Sequence, residues 1–438
     1  MELHKTGSLK GEITPPPDKS LSHRAVMFAS LAEGTSRVRN FLRAEDPLST
    51  MRAFRSLGIG ISEEPGGEVP GGEVIIHGKG LHGLQESFDV IDCGNSGTTV
   101  RLLSGILAGN PFFSVLTGDN SLKQRPMARV VAPLKSMGAD ISGRAGDKYL
   151  PLAIRGGELK AVEYVMPVAS AQVKSCLILA GLYAEGTTVI TEPFRSRDHT
   201  ERILAAMGAE ISVEGLTVRV NGQPPGGGRR ALQALDITVP ADFSSAAFFM
   251  AASLIVPGSE VLVKGVGINP TRTGLLDVLR QMGGCVALRN EREVSGEPVA
   301  DIHCTAADGL RAVTVGEESI PSLIDEFPIL CILATQAEGT TEIRGAEELR
   351  VKESDRIRAM ASELKKMGVG LEEFPDGIAI KGKTKLKGCP VESYDDHRIA
   401  MSLAVAALIA EGTTTIGNAS CVDISFPGFF EQLRSLST

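Results

Sequence analysis

Lys19, Arg24, Arg125, Arg197, Lys352, Arg356 and Arg398 bring more positive charge than one phosphate requires. Arginine's planar fork suits two-point contact with carboxylate or phosphate. Asp325 and Glu353 are carboxylates available for moving protons. With the helix starts described below, this set fits a site for two small polyanions.

Spacing places these groups. In PPPDKSLSHRAVMFASLA (15–32) three prolines form a stiff strap that cannot continue a helix, and Asp18 and Ser20 are N-cap residue types. Ser20 and Arg24 then share one helix face above its positive end. Locally the simpler reading is a capped helix with two solvated cations. In LRVKESDRI (349–357) the spacing predicts that Lys352, Glu353 and Arg356 occupy one helical face, which by itself reads as a solvated salt-bridge network. Asp325 and Glu326 precede the apolar run FPILCILA. A carboxylate there is ordinarily an N-cap, whereas one facing an anion-filled cleft could have a raised pKa and act as a base.

Six internal repeats position these groups. A Gly-centred turn follows an apolar helix in LAEGTSRV (31–38), LAGNPFF (107–113), YAEGTTVI (183–190), IVPGSEVL (255–262), QAEGTTEI (336–343) and IAEGTTTI (409–416). Amphipathic helices end at Gly58, Gly138, Gly208, Gly283 and Gly368, with FFEQLRSL as the sixth. Each copy reads as apolar helix, turn, β-branched strand, amphipathic helix and further strands, over roughly 70 to 85 residues. The first helices are apolar on every side and belong in the interior. All start on polar residues. If they run parallel, each domain has a face of free N–H groups, and two such faces opposed would make an anion-binding cleft.

The expected fold class is α/β, with two similar domains of three repeats. The division falls near 239–241, after the Gly- and Pro-rich segment 222–230. The strand LHKTGSLKGEIT lacks a partner before it and is expected to pair with the C-terminal half. Residues 1–18 plus 241–438 then form one domain and residues 19–240 an inserted one, with the site between them.

A net charge of −8 argues against nucleic acid as a partner. Seven cysteines without a CxxC pair point to a reducing cytosol, and neither a signal segment nor a membrane span is expected. The GxGxxG match at 78–83 lacks a following helix and reads as a turn; Walker A, GxSxG and HExxH are absent. No cofactor or metal is expected.

Eight segments in order, DKSLSHRA, GNSGTTVRLL, TGDNSLKQRP, ASAQVKS, SRDHTE, LRVKESDRI, DDHRIAM and SFPGFFEQL, resemble the 5-enolpyruvylshikimate-3-phosphate synthases. The resemblance spans the chain and implies two domains of three βαβαββ units, an inside-out α/β barrel with buried parallel helices pointing toward an interdomain cleft. It implies transfer of the enolpyruvyl group of phosphoenolpyruvate to shikimate-3-phosphate with release of phosphate. Lys19 would bridge both substrates, Asp325 act as base and Glu353 as proton donor. Phosphoenolpyruvate would meet Lys19, the Gly97 backbone, Arg125, Gln172, Arg356 and Arg398. Shikimate-3-phosphate would meet Lys19, Ser20, Arg24, Ser170, Gln172, Arg197, Asp325 and Lys352. A cytoplasmic monomer is expected.

Ser170-Ala171-Gln172 replaces the SSQ of many members, and Ile424 stands where many have lysine. Gly97 is expected to leave space beside phosphoenolpyruvate, which bears on glyphosate. The nearest rival family, UDP-N-acetylglucosamine enolpyruvyl transferase, carries a cysteine in the loop before its RP; here Asn120 stands at about that point.

Overall fold

The structure, a computed structural model, describes residues 1–64, 72–223 and 231–437. Most of the segment expected to end the inserted domain, 224–230, lies outside them. The chain forms two compact units, residues 1–16 with 240–438 and residues 17–239. Each has its own hydrophobic core.

Among the described residues, twelve helices have eight residues or more. In unit 17–239 they are α1 (Lys19–Leu31), α2 (Glu45–Ser56), α3 (Gly97–Ala108), α4 (Ala128–Ser136), α5 (Ala171–Gly181) and α6 (His199–Ala206). The other unit holds α7 (Phe243–Ile255), α8 (Gly274–Gln281), α9 (Phe327–Gln336), α10 (Arg356–Lys366), α11 (His397–Ala407) and α12 (Phe429–Leu436). The odd-numbered helices are the apolar ones, and each is buried along nearly its whole length. Two serines inside them donate back to carbonyls one turn earlier, Ser30 to Val26 and Ser253 to Phe249, both at 2.7 Å, so those hydroxyls are satisfied without water. Truncating a core side chain such as Phe28 to alanine should cost about 3–5 kcal/mol.

The sheets repeat one order. In the second repeat, Ile91–Asp92 runs parallel to Phe113–Thr117, which pairs antiparallel with Tyr149–Arg155, itself antiparallel to Asp140–Gly143. The first repeat takes its parallel strands from the end of its own unit, Leu232–Gln233 and Ile237–Thr238 on Ala32–Arg39. In the other unit the N-terminal residues fill the corresponding places. Lys10–Ile13 runs parallel to Glu260–Gly267, and Glu2–His4 antiparallel to Thr413–Gly417. The N-terminal strand thus pairs with the C-terminal half, as its sequence predicts.

The five glycines expected after the amphipathic helices all have positive φ, from +82° at Gly283 to +98° at Gly138. Gly109, in the second turn motif, differs. Its φ is −92°, and a Cβ there would lie 2.3 Å from Tyr183 Cγ, so close packing requires the glycine. Residues 78–83 form a strand end and a turn, without a following helix.

Candidate functional site

In unit 17–239 the starts of the three apolar helices come together. Asp18, Ser96 and Ser170 cap α1, α3 and α5, accepting from the N–H groups of Leu21, Thr99 and Val173. Gln172, in the first turn of α5, donates to Thr98 Oγ1 in the first turn of α3 at 3.1 Å and accepts from Arg101 Nη1. Arg24 on α1 donates to Ser175 Oγ on α5 at 3.0 Å and to Thr200 Oγ1 on α6 at 2.8 Å. These cross-links tie α1, α3 and α5 together near their N-termini, which favour anions.

Lys19 lies 3.1 Å from Asp46 in the first turn of α2. The Ser20 carbonyl accepts from Arg24 Nη1 at 3.0 Å. Arg24 is therefore no solvated cation: it is buried, and it is held from its own helix and from two neighbouring ones. His23, between these cations, donates to or accepts from Thr50 Oγ1 at 2.7 Å. Burial, with Lys19 and Arg24 alongside, holds its imidazole well below its ordinary pKa, so it stays neutral. Arg125 reaches the Asn95 carbonyl at 3.2 Å and flanks Gly97. The space expected beside Gly97 is partly taken: a Cβ there would meet Arg101 Nη1 at 2.8 Å and Arg125 Nη1 at 3.5 Å. Arg197 is half-buried, two residues before α6.

In the other unit Arg356, buried at the start of α10, is the hub. Its Nε donates to Asp396 Oδ2 at 2.8 Å, Nη2 to Glu353 Oε2 at 2.6 Å and Nη1 to Asp325 Oδ1 at 3.4 Å. Arg398 Nη1 donates to the Asp325 carbonyl at 3.1 Å, and its Nη2 stands 3.6 Å from Asp325 Oδ2. Asp396 caps α11 through the Arg398 N–H at 2.9 Å. Burial alone would push the Asp396 carboxyl up, but Arg356, with His397 assisting, outweighs it and holds the group below the carboxylate range. Burial likewise works against the Arg356 charge, and Asp396, Glu353 and Asp325 overcome it.

Two local expectations need correction. Lys352 and Glu353 do not share a helical face with Arg356, because Asp355 caps α10 by accepting from the Arg358 N–H at 3.0 Å and so starts the helix at Arg356. Glu353 reaches Arg356 from a bend instead. Neither Asp325 nor Glu326 caps α9: Glu326 holds the cap position without a side-chain cap bond and accepts from Ser244 Oγ.

The structure thus gathers Lys19, Ser20, Arg24, Gly97, Arg125, Ser170 and Gln172 around the helix starts of one unit. It gathers Asp325, Glu353, Arg356 and Arg398 in the other, with half-buried Lys352 one residue before Glu353. Sequence reasoning missed Arg101, Lys174 and Asp396. A signal for the first two existed, since α3 and α5 each carry one cation within a run of otherwise apolar and small residues. No cluster of His, Cys, Asp or Glu suited to a metal occurs among the described residues.

The family profile that matches residues 3–433 is described as EPSP synthase (3-phosphoshikimate 1-carboxyvinyltransferase). The chain is 56% identical over 434 residues to the 3-phosphoshikimate 1-carboxyvinyltransferase of Thermodesulfovibrio yellowstonii, covering 99% of each. It is 54% identical over 429 residues to that of Citrifermentans bemidjiense, covering 98% of this chain and 97% of the relative. A solved EPSP synthase from Acinetobacter baumannii superposes with a TM-score of 0.85 at 47% identity, over 99% of this chain and 97% of the other. The enolpyruvyl transferase NikO from Streptomyces tendae shares the fold, with a TM-score of 0.77 at 19% identity over 99% and 96% of the two chains.

Proposed function

Because the chain belongs to the EPSP synthase family, the 3-phosphoshikimate 1-carboxyvinyltransferases, it is a transferase of the shikimate pathway, and we propose how its own residues carry the reaction. The enolpyruvyl group of phosphoenolpyruvate passes to the 5-hydroxyl of shikimate-3-phosphate, and phosphate leaves, on the route to chorismate and the aromatic amino acids. The observation that carries the reading is the Arg356 hub, which holds two carboxylates suited to opposite proton movements.

Glu353 gives a proton to the methylene carbon of phosphoenolpyruvate, building cationic character on the neighbouring carbon. The 5-hydroxyl attacks that carbon while Asp325 takes its proton, forming a tetrahedral intermediate. Removal of a proton from the new methyl group and protonation of the leaving oxygen expel phosphate, and the two carboxylates can exchange roles between steps. Lys19 bridges the substrates and neutralises charge where it develops. The Gly97 N–H, Arg125, Gln172, Arg356 and Arg398 hold phosphoenolpyruvate. Ser20, Arg24, Ser170, Gln172, Arg197 and Lys352 hold shikimate-3-phosphate, with Asp325 on its ring hydroxyls.

Binding of shikimate-3-phosphate is expected to draw the protein into a more closed form, because the ligand adds an anion to the cations assigned to it. The chain passes from one unit to the other twice, at 16/17 and 239/240. Equal small-angle scattering dimensions with and without that ligand would refute closure. We read the protein as a cytoplasmic monomer, to be checked by sedimentation; no helix among the described residues is long and apolar enough to cross a membrane.

Purified protein should release phosphate from shikimate-3-phosphate and phosphoenolpyruvate. Release only when a UDP-sugar replaces shikimate-3-phosphate would favour the UDP-N-acetylglucosamine enolpyruvyl transferase reading. The absence of cysteine between Cys93 and Cys176 argues against that outcome.

A further inference from the structure

We propose that Lys174 is a positioning residue for shikimate-3-phosphate, acting through the segment that carries Arg197; the inference rests on Arg197 being a ligand, as read above. Lys174 lies in α5, wholly buried, with its ammonium facing three oxygens. Glu192 Oε2 stands at 2.7 Å, Glu201 Oε1 at 2.8 Å and the Ser196 backbone carbonyl at 3.2 Å. An ammonium has three donors, so the set uses all of them. Ser196 Oγ donates in turn to Glu192 Oε1. The turn 192–196 is thereby tied to α5 and, through Glu201, to α6.

The peptide group that Lys174 grips joins Ser196 to Arg197. Part of the set assigned to this substrate rests on the same two helices: Ser170 caps α5 and Gln172 lies in its first turn, while Ser175 on α5 and Thr200 on α6 hold Arg24. One ammonium therefore sets Arg197 against Ser170, Gln172 and Arg24.

Stability alone does not account for the trio. Two buried carboxylates share one ammonium, and apolar residues of the same volume would serve the core as well or better. Burial pushes the Glu201 carboxyl up, and Lys174 opposes that shift. What apolar residues could not do is fix the Ser196 carbonyl.

The test is steady-state kinetics of a charge-free variant, Lys174→Met with Glu192→Gln and Glu201→Gln, alongside Arg197→Ala and the combination of all four changes. The expected result is a KM for shikimate-3-phosphate raised roughly 10- to 100-fold, with the KM for phosphoenolpyruvate unchanged. On the Arg197→Ala background the same changes should add little, since Lys174 acts through Arg197. A packing role would lower the melting temperature and leave both KM values in place, which overturns the inference, as do equal rises for both substrates or fully multiplicative effects. An unchanged KM for Arg197→Ala alone would instead overturn the ligand reading and this inference with it. Should the triple variant not fold, Lys174→Gln with Glu192→Gln is read by the same criteria, because the remaining Glu201 readily takes up a proton.

Discussion

Lys19 shows what one side chain contributes when its surroundings are known. Its contact with Asp46 is partly exposed, and Asp46 lies in the first turn of α2, where the positive helix end favours a carboxylate, so Lys19→Ala should lower stability by about 1 kcal/mol. Turnover should fall at least about 100-fold, the scale seen when a charge-stabilising donor is removed. Near-normal phosphate release from a folded variant would mean that Lys19 does not bridge the substrates. Gly97→Ala should raise the inhibition constant of glyphosate more than the KM for phosphoenolpyruvate, with the Arg101 guanidinium first to yield to the new methyl; equal changes would refute this. The chemistry-bearing residues were legible because they stand at helix starts, where composition changes abruptly. The partners of Arg101 and Asp396 were not, because they lie 71 and 40 residues away. A cation inside an apolar run reads as buried, but nothing local says which distant group it holds.

Helices reveal the same division between local and distant causes. Terminal glycines and apolar runs announce the elements, since both act within one or two turns. Helix α10 does not reach back to Lys352 because Asp355 caps it by accepting from the Arg358 N–H, a choice that spacing alone does not reveal. Gly109 lies in a turn, as its motif predicts, but Tyr183, distant in sequence, is why the position must be glycine. The junction of α10 and α11 also carries a pH dependence with a definite sign. The folded pKa of Asp396 lies below its unfolded value of about 3.9, so its contribution is complete above that pH and is lost as pH falls through the folded value. Arg356, raised, stays charged throughout. Asp396→Asn should cost about 3 kcal/mol at pH 7, the low end for breaking a buried pair, because Glu353 and Asp325 still face Arg356. Urea midpoints should show wild type losing more stability than the variant below about pH 4. Parallel losses would show that Asp396 does not titrate as its pairing requires.

Across the whole molecule, the repeat explains why two units arise and why one of them needs both ends of the chain. Unit 17–239 closes its sheets from within, the strands at 232–233 and 237–238 returning to Ala32–Arg39. Residues 240–438 do not: their sheets take Lys10–Ile13 and Glu2–His4, and their core takes Leu3, Leu9 and Ile13. Losing three buried aliphatic side chains removes about 5–9 kcal/mol before any ladder hydrogen bond is counted. A domain's whole stability is about 5–15 kcal/mol. A fragment of residues 17–239 should therefore melt cooperatively alone, whereas residues 240–438 should not. Joining residues 1–16 after the C-terminus through a short linker should restore a cooperative melt, because Leu9 already bridges to Ser437 and the two ends are adjacent. Circular dichroism melts of the three fragments decide the matter. A cooperative transition in residues 240–438 alone would mean that the N-terminal strands decorate a unit able to close without them, and that the first crossing serves the site rather than the fold.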